Sequence, residues 1–387
     1  MPKPDYDERP ILVFWETTKA CLLSCKHCRA EAIDHPLPGE LSRSESLAFI
    51  QSLGDFGKPY PVLILTGGDP LMKQGIFDII SAARERDIPV GFSPSVTPNL
   101  NAISVQKLKE LGVSTVSVSL DGATPHSHEG IRGVSNHFVH TLDAMKLLVS
   151  HGFKVQVNTT VMKNNVLELP LIAKILKETG VSIWEVFFLI KVGRGTFVEE
   201  IPRDAYEDVM HFLYDASKYD LIVRTVEAPF FRRVVSWRKA GELPPMYAPG
   251  ALYAKLSTQL KQLLGEPSSS PRAQSVGTRD GKGVVFVAHD GSVYPSGFLP
   301  YSLGNIRTTP LVRIYRESPI LRAIRNAAFR GRCGVCEYRD DCGGSRARAY
   351  AAYGDLLAED PACVYAPATA GQFGVSPTLQ DAGTVRL

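Results

Sequence analysis

Between Cys28 and Cys333 the 387-residue chain has no cysteine, a gap of 304 residues. All seven cysteines lie in two short stretches near the two ends, and seven is an odd number for a disulfide framework. An excess of either charge is also missing. The 43 Lys and Arg against 40 Asp and Glu leave +3, too little to argue for nucleic acid or an anionic membrane surface as partner. No apolar run approaches the roughly 18–20 residues needed to span a bilayer. The opening residues Met1-Pro-Lys-Pro-Asp-Tyr-Asp-Glu lack the apolar core of a secretory signal, so the expected location is the cytoplasm. A 44% hydrophobic and 21% charged composition is that of an ordinary globular chain, long enough for one large unit and a smaller one.

What is present begins with Cys21-Leu-Leu-Ser-Cys25-Lys-His-Cys28, placed after the apolar run Ile11-Leu-Val-Phe-Trp15. Three thiolates at CxxxCxxC spacing can hold three corners of a 4Fe–4S cube and leave its fourth iron open, whereas such clusters normally take four cysteines. The plainer reading is three structural cysteines or part of a zinc site, although zinc favours four ligands and CxxC-type spacing. At the other end, Cys333, Cys336, Cys342 and Cys363 offer four thiols within 31 residues. Three plus four is the arithmetic of one open and one closed cluster, with a zinc knot as the alternative for the second set.

From residue 11 to about 220, short apolar runs alternate with longer amphipathic ones. Strands are expected at 11–17, 62–66, 89–93, 115–120, 154–160 and 183–189. Helices are expected at 42–56, 75–86, 102–111, 138–151, 167–179 and 203–218, several ending at a glycine such as Gly112, Gly152 or Gly180. This alternation argues for parallel strands covered by helices, as an incomplete barrel or an open doubly wound sheet. Ligands then gather beyond the C-terminal ends of the strands.

The cysteine stretch, with the aromatic His27 before its last member, resembles the signature of radical S-adenosylmethionine (SAM) enzymes. The resemblance implies an α/β fold, a partial (β/α)6 TIM-type barrel, in which the open iron chelates SAM and an electron from the cluster cleaves its sulfonium bond. Thr66-Gly67-Gly68-Asp69-Pro70 looks like the GGE-type motif of the family with Asp in place of Glu, where glycine carbonyls meet the SAM ammonium; on its own it would be a plain turn. Ser93 and Ser95 would frame SAM. Ser117-Val-Ser119-Leu-Asp121-Gly122 with His128 and Arg132 resembles the SLDG…H-x-x-x-R pattern. By that likeness Ser119 and Arg132 hold the SAM carboxylate, while Asp121 and Gly122 make a tight turn. Asn158 would reach the ribose, and Arg194, in the loop 191–195, would touch SAM or substrate. His126, His128, His137 and His140 show no metal-binding spacing, and most of them are expected on the surface.

Beyond residue 225 the pattern loosens. Arg232, Arg233, Arg238 and Lys239 form a basic cluster that is a solvated face or a site for substrate carboxylates, and 265–278 reads as a flexible loop. Two β-runs joined at Asp290-Gly291 read as a hairpin. The C-terminal region resembles the SPASM extension of peptide- and cofactor-modifying radical SAM enzymes, whose full form carries seven cysteines and two auxiliary clusters. Here Ser296 and the stretch Gly343-Gly-Ser345-Arg346 stand where further cysteines would be, so one auxiliary 4Fe–4S cluster is expected. The expected divisions are 1–10, an extension; 11–225, the barrel; 226–280, a linker; 281–366, the auxiliary-cluster unit; and 367–387, a tail.

In detail the motifs look most like the alternative haem-biosynthesis branch, which modifies side chains of iron coproporphyrin or siroheme derivatives. That likeness implies a tetrapyrrole substrate, with the basic cluster, Arg346 and Arg348 reading its carboxylates, and ferredoxin or flavodoxin as electron donor. The rival readings are a maturase acting on a ribosomally made peptide and a non-catalytic iron–sulfur carrier.

Overall fold

The computed structural model describes residues 5–274 and 277–368. Seven parallel strands stand side by side in chain order: β1 (Leu12–Glu16), β2 (Val62–Thr66), β3 (Val90–Phe92), β4 (Thr115–Ser119), β5 (Lys154–Val161), β6 (Ile183–Phe188) and β7 (Ile222–Val226). The connections carry α1 (Arg43–Ser52), α2 (Ile76–Arg84), α3 (Ala102–Glu110), α4 (Pro125–Arg132), α5 (His137–Ser150), α6 (Leu169–Glu178) and α7 (Arg203–Ala216). The row does not close on itself. On the far side of β1 the sheet continues through strands from the C-terminal part of the chain.

Alternation along each strand creates two faces. In β5, Val155, Val157, Thr159 and Val161 are buried beneath helices, whereas Gln156, Asn158 and Thr160 are half-buried and line an open lumen. Local chemistry fixes the helix starts. Ser42 and Glu45 form a reciprocal capping box at α1, and Thr124 caps α4 with Pro125 in its first turn. The six expected strands are present, and β7 is an addition. Its sequence Ile-Val-Arg-Thr-Val interrupts the apolar run with two polar residues: Arg224 lies in register with Glu185 on the lumen side, and Thr225, on the opposite face, donates to the Ala228 carbonyl.

The segment after β7 is more ordered than its composition suggested. It forms α8 (Phe231–Ala240) and α9 (Ala251–Leu264), the latter packed on α6 and α7 through Leu256 and Leu260. Part of the expected 265–278 loop lies outside the described residues; within the rest, Ala273 bridges to Val223 of β7. Then come β8 (Arg279–Asp280), β9 (Gly283–Val287), β10 (Ser292–Tyr294) and β11 (Gly304–Asn305). The expected hairpin is β9–β10, turned at Gly291 with φ +83°. Because β9 pairs in parallel with β1, Phe286 opposite Phe14, the hairpin is a direct extension of the barrel sheet. Last are α10 (Leu311–Glu317), α11 (Pro319–Arg325), α12 (Gly331–Gly334) and α13 (Arg346–Tyr353).

The basic stretch on α8 is not a solvated face. Arg233 is 2% exposed and forks onto both carboxylate oxygens of Glu207 on α7, each at 2.8 Å. Arg238 binds Asp215 at 2.7 Å, and Arg232 donates to the carbonyls of Asp341 and Thr278. These guanidinium groups tie α8 to its neighbours. Glu207→Ala strands the Arg233 charge in the interior, which should cost about 3–5 kcal/mol. Thermal unfolding should show a Tm lowered by several degrees; an unchanged Tm would contradict this role.

Candidate active site

The cysteine loop between β1 and α1 has almost no regular structure of its own, so other segments must hold it. Cys21 N–H donates to the Ile33 carbonyl at 2.6 Å and Lys26 N–H to that of Ile131 at 2.9 Å. The turn after β2 presses against its entry. Gly68 N–H meets the Thr18 carbonyl at 2.8 Å and Asp69 N–H that of Ala20 at 2.7 Å. A Cβ at Gly68 would lie 2.4 Å from the Ala20 oxygen, and one at Gly67 2.6 Å from the Thr18 oxygen. Glycine is required here by contact between two backbones. The Gly68 carbonyl accepts from Ser95 Oγ at 2.9 Å, and the same hydroxyl lies 3.3 Å from Cys21 Sγ. Asp69, next to Pro70, is fully buried. It accepts from Leu71 N–H at 3.1 Å and Thr97 Oγ1 at 2.8 Å, so its carboxylate caps a local turn.

Arg194 grips the exit of the loop. Its Nε reaches the Cys25 carbonyl at 2.9 Å and Nη1 the Ala32 carbonyl at 3.0 Å, while its backbone N–H donates to the Cys28 carbonyl at 3.1 Å. Gly193, at φ +52°, lies so close that a Cβ would be 2.6 Å from the Arg29 oxygen. These donors are spent on the loop, whereas the buried Nη2 of Arg194 has no partner among the described residues.

Asp121, expected as a turn residue, is the charge centre of the site. It is 1% exposed, and its Oδ2 pairs with Arg132 Nη2 at 2.5 Å. His27 Nε2 lies 3.4 Å from the same oxygen. Oδ1 accepts from Thr160 N–H at 2.7 Å. Burial opposes the Asp121 charge, yet Arg132, His27 and the Thr160 N–H together outweigh it and the carboxyl stays below its ordinary range. Burial keeps His27 neutral, with a pKa of about 4. Arg132 in turn reaches Cys25 Sγ at 3.6 Å.

The histidine expectation is overturned for two of the four. His128 and His137 are 0% and 3% exposed. Asp121 N–H donates to His128 Nδ1 at 3.1 Å, which leaves Nε2 as the protonated nitrogen. It faces His137 Nδ1 at 2.8 Å, and His137 Nε2 meets the Val96 carbonyl at 3.1 Å. Only neutral rings satisfy this chain, and burial pushes both pKa values down, to about 3 and about 4. The pair therefore links the ends of β3 and β4, the two segments that bring Ser95 to Cys21 and Arg132 to Cys25.

Strand register sets Ser119, Asn158, Glu185 and Arg224 in one row across β4 to β7. Gln156 Nε2 donates to Asn158 Oδ1 at 2.9 Å and Glu185 Oε2 at 2.7 Å. Ser93 and Ser117 share a hydrogen bond one strand earlier. Gln156, Glu185 and Arg224 were missed; polar residues at alternate positions in apolar strands were the available signal.

Cys333, Cys336, Cys342 and Cys363 line one cavity together with Gly343 and Gly344. N–H groups point at the sulfurs: Gly344 N to Cys342 Sγ at 3.5 Å, Asp360 N to Cys333 Sγ at 3.4 Å, and Arg346 Nη2 to Cys333 Sγ at 3.7 Å. Burial pushes the Cys336, Cys342 and Cys363 thiols up to about 12, so a metal must replace their protons before they act as thiolates. Among the described residues no group of three or more His, Cys, Asp or Glu converges as a single-ion site would require.

Arg346 and Arg348, expected to read substrate carboxylates, are buried and committed to partners within the protein. Arg346, fully buried, bonds the carbonyls of Leu356 and Ala358, while Arg348 bonds Asp360, Glu200 and the Glu227 carbonyl.

Residues 15–176 match the model of the radical SAM superfamily. The chain is 34% identical to an AdoMet-dependent heme synthase of Methanosarcina barkeri over 92% of its own length and 97% of the relative's. This chain is a radical SAM enzyme. A Fe-coproporphyrin III synthase of the same organism is 29% identical, covering 92% and 88% of the two chains. Among solved structures, Streptococcus suis SuiB bound to S-adenosylmethionine superposes with a TM-score of 0.66 at 13% identity, over 92% of this chain and 78% of that one; this likeness is one of fold. As a radical SAM enzyme the protein uses a 4Fe–4S cluster and SAM. The first cysteine set suits them: three thiols on one braced loop, with hydroxyl and guanidinium donors on two of the sulfurs.

Gly68→Ala should displace Ala20 and Cys21 and lower reconstituted iron by about the content of one cluster; iron equal to wild type would contradict the close-contact role. For the histidine pair the folded pKa values lie below the ordinary 6.5. Their contribution is complete above pH 6.5 and is lost as pH falls toward about 4. Thermal unfolding should depend on pH in this window more steeply for wild type than for His128→Gln/His137→Gln. Parallel profiles would contradict it.

Proposed function

We propose that this radical SAM enzyme modifies the side chains of a carboxylate-bearing iron tetrapyrrole, by oxidative decarboxylation or side-chain removal. The observation that carries the reading is end-to-end similarity to a relative named a heme synthase, with a second named a Fe-coproporphyrin III synthase. A peptide-maturase role has weaker support, since its solved likeness to SuiB is one of fold.

In this reading Cys21, Cys25 and Cys28 hold three irons of the SAM cluster, and Cys333, Cys336, Cys342 and Cys363 hold a closed auxiliary cluster. When bound, the first cluster and SAM supply the reductive chemistry that makes an unreactive C–H bond accessible. The chain's own residues supply position. Gly67, Gly68, Asp69 and Pro70 set the entry of the cysteine loop; Ser93 and Ser95 frame the same side of the site. Ser119 and Arg132 take the SAM carboxylate, with Asp121 fixing the guanidinium and offsetting its charge. Asn158, oriented by Gln156, takes the ribose. Arg194 clamps the loop through Nε and Nη1 and keeps its buried Nη2 for SAM or substrate. A closed auxiliary cluster offers no iron to substrate and suits electron transfer or support of the fold. The donor of electrons is a ferredoxin or flavodoxin, and the setting is the cytoplasm. The barrel spans 11–225, the linker 226–280 and the auxiliary-cluster unit 281–366.

The test is anaerobic incubation of reconstituted protein with SAM, a reductant and iron coproporphyrin III or a siroheme derivative. Mass spectrometry should show a tetrapyrrole that has lost carboxyl groups or side chains, together with 5′-deoxyadenosine. SAM cleavage with both tetrapyrroles unchanged would contradict the reading.

A further inference from the structure

A substrate with several carboxylates needs cations at the mouth of the lumen, and the arginines first expected there are committed elsewhere. Another set, beside the cysteine loop, keeps free donors among the described residues. Glu16, at the C-terminal end of β1 and 3% exposed, accepts from Arg29 Nη1 and from His289 Nδ1, each at 3.0 Å. The Lys19 ammonium also acts on it. Burial works against the Glu16 charge, but the His289 hydrogen bond and the charges of Arg29 and Lys19 together outweigh it.

Arg29 pairs directly with Glu16, and the Lys19 charge acts on the same carboxylate from beyond ion-pair distance, so cationic groups outnumber this carboxylate. Its donors are not used up. Lys19 Nζ has no hydrogen-bond or ion-pair partner among the described residues. Of the five N–H donors of Arg29, those on Nε and Nη2 have no partner among the described residues, and neither nitrogen is sealed from solvent. A second carboxylate can take them without displacing Glu16.

The surroundings give the shape of the ligand. Arg29 Cζ lies 4.5 Å from the Phe286 ring centroid and 6.0 Å from that of Phe298. Phe298 lies 6.0 Å from Phe187 at the end of β6. Gly297 makes the fit possible: a Cβ there would be 3.0 Å from Arg29 Nε and 3.1 Å from the Phe286 ring. Arg29 also directly follows Cys28, so a group bound to it sits beside the cysteine loop.

We propose that Lys19 and Arg29 bind a carboxylate of a planar aromatic substrate whose ring lies against Phe187 and Phe298. The inference rests on the tetrapyrrole reading above and adds which residues recognise the substrate. Glu16 and His289 are positioning residues that fix the guanidinium over Phe286, and β9 carries that ring because the C-terminal hairpin is sewn onto β1.

The test is an absorbance titration of the anaerobic holoenzyme with iron coproporphyrin III and with its tetramethyl ester, which keeps the macrocycle and lacks the carboxylates. Wild type should bind the acid at least about tenfold more tightly. Arg29→Gln should lose most of that preference. Lys19→Gln, at a half-exposed position without a partner, should lose part of it with iron content unchanged, which guards against a folding or cluster defect in the first variant. Equal binding of acid and ester by wild type would overturn the carboxylate site and leave the tetrapyrrole reading standing. So would variants that keep the full preference. Binding of neither compound would overturn both.

Discussion

The structure depends on one constraint: a loop with three thiols and no ladder of its own must be held by the backbones around it. Thr18 and Ala20 are contacted by Gly68 and Asp69, Cys21 by Ile33, Lys26 by Ile131, and Cys25, Cys28 and Ala32 by Arg194. At Gly68 and Gly193 a single Cβ would break the contact. The barrel explains why these partners meet. Each lies beyond the C-terminal end of a parallel strand, and parallel strands in register bring such ends together at one rim.

Charge is the second organising factor, and it is arranged in opposite ways at the two sides of the rim. On the β4 side, Asp121 and Arg132 neutralise each other beside two neutral histidines, a dry arrangement that fixes direction with little net field. On the β1 side, Lys19 and Arg29 outnumber Glu16 next to aromatic rings. The first arrangement suits holding SAM in one pose; the second suits an anionic ligand that enters and leaves.

Much of the fold was legible because its signals are local. The CxxxCxxC loop, the Gly67-Gly68 turn, the six alternating units and the Asp290-Gly291 hairpin can each be read within a dozen residues. What escaped depends on partners far away in sequence. Arg233, Arg346 and Arg348 read as cations free for substrate because the local sequence does not reveal what holds them: Glu207 for Arg233, the Leu356 and Ala358 carbonyls for Arg346, and Asp360 for Arg348. His128 and His137 read as exposed because the groups that satisfy them are backbone atoms of Asp121 and Val96. β7 was hidden by the polar residues that give it a lumen face, and α9 by its lack of a side-chain cap.

The central claim is that one chain carries two iron–sulfur sites, one open and one closed. The most direct test is anaerobic iron and sulfide analysis with EPR on wild type and on Cys21→Ala/Cys25→Ala/Cys28→Ala. The account predicts about eight irons, falling to about four in the variant, with SAM altering only the signal that the variant loses. About four irons plus zinc in wild type, or an iron content untouched by the triple substitution, would contradict it.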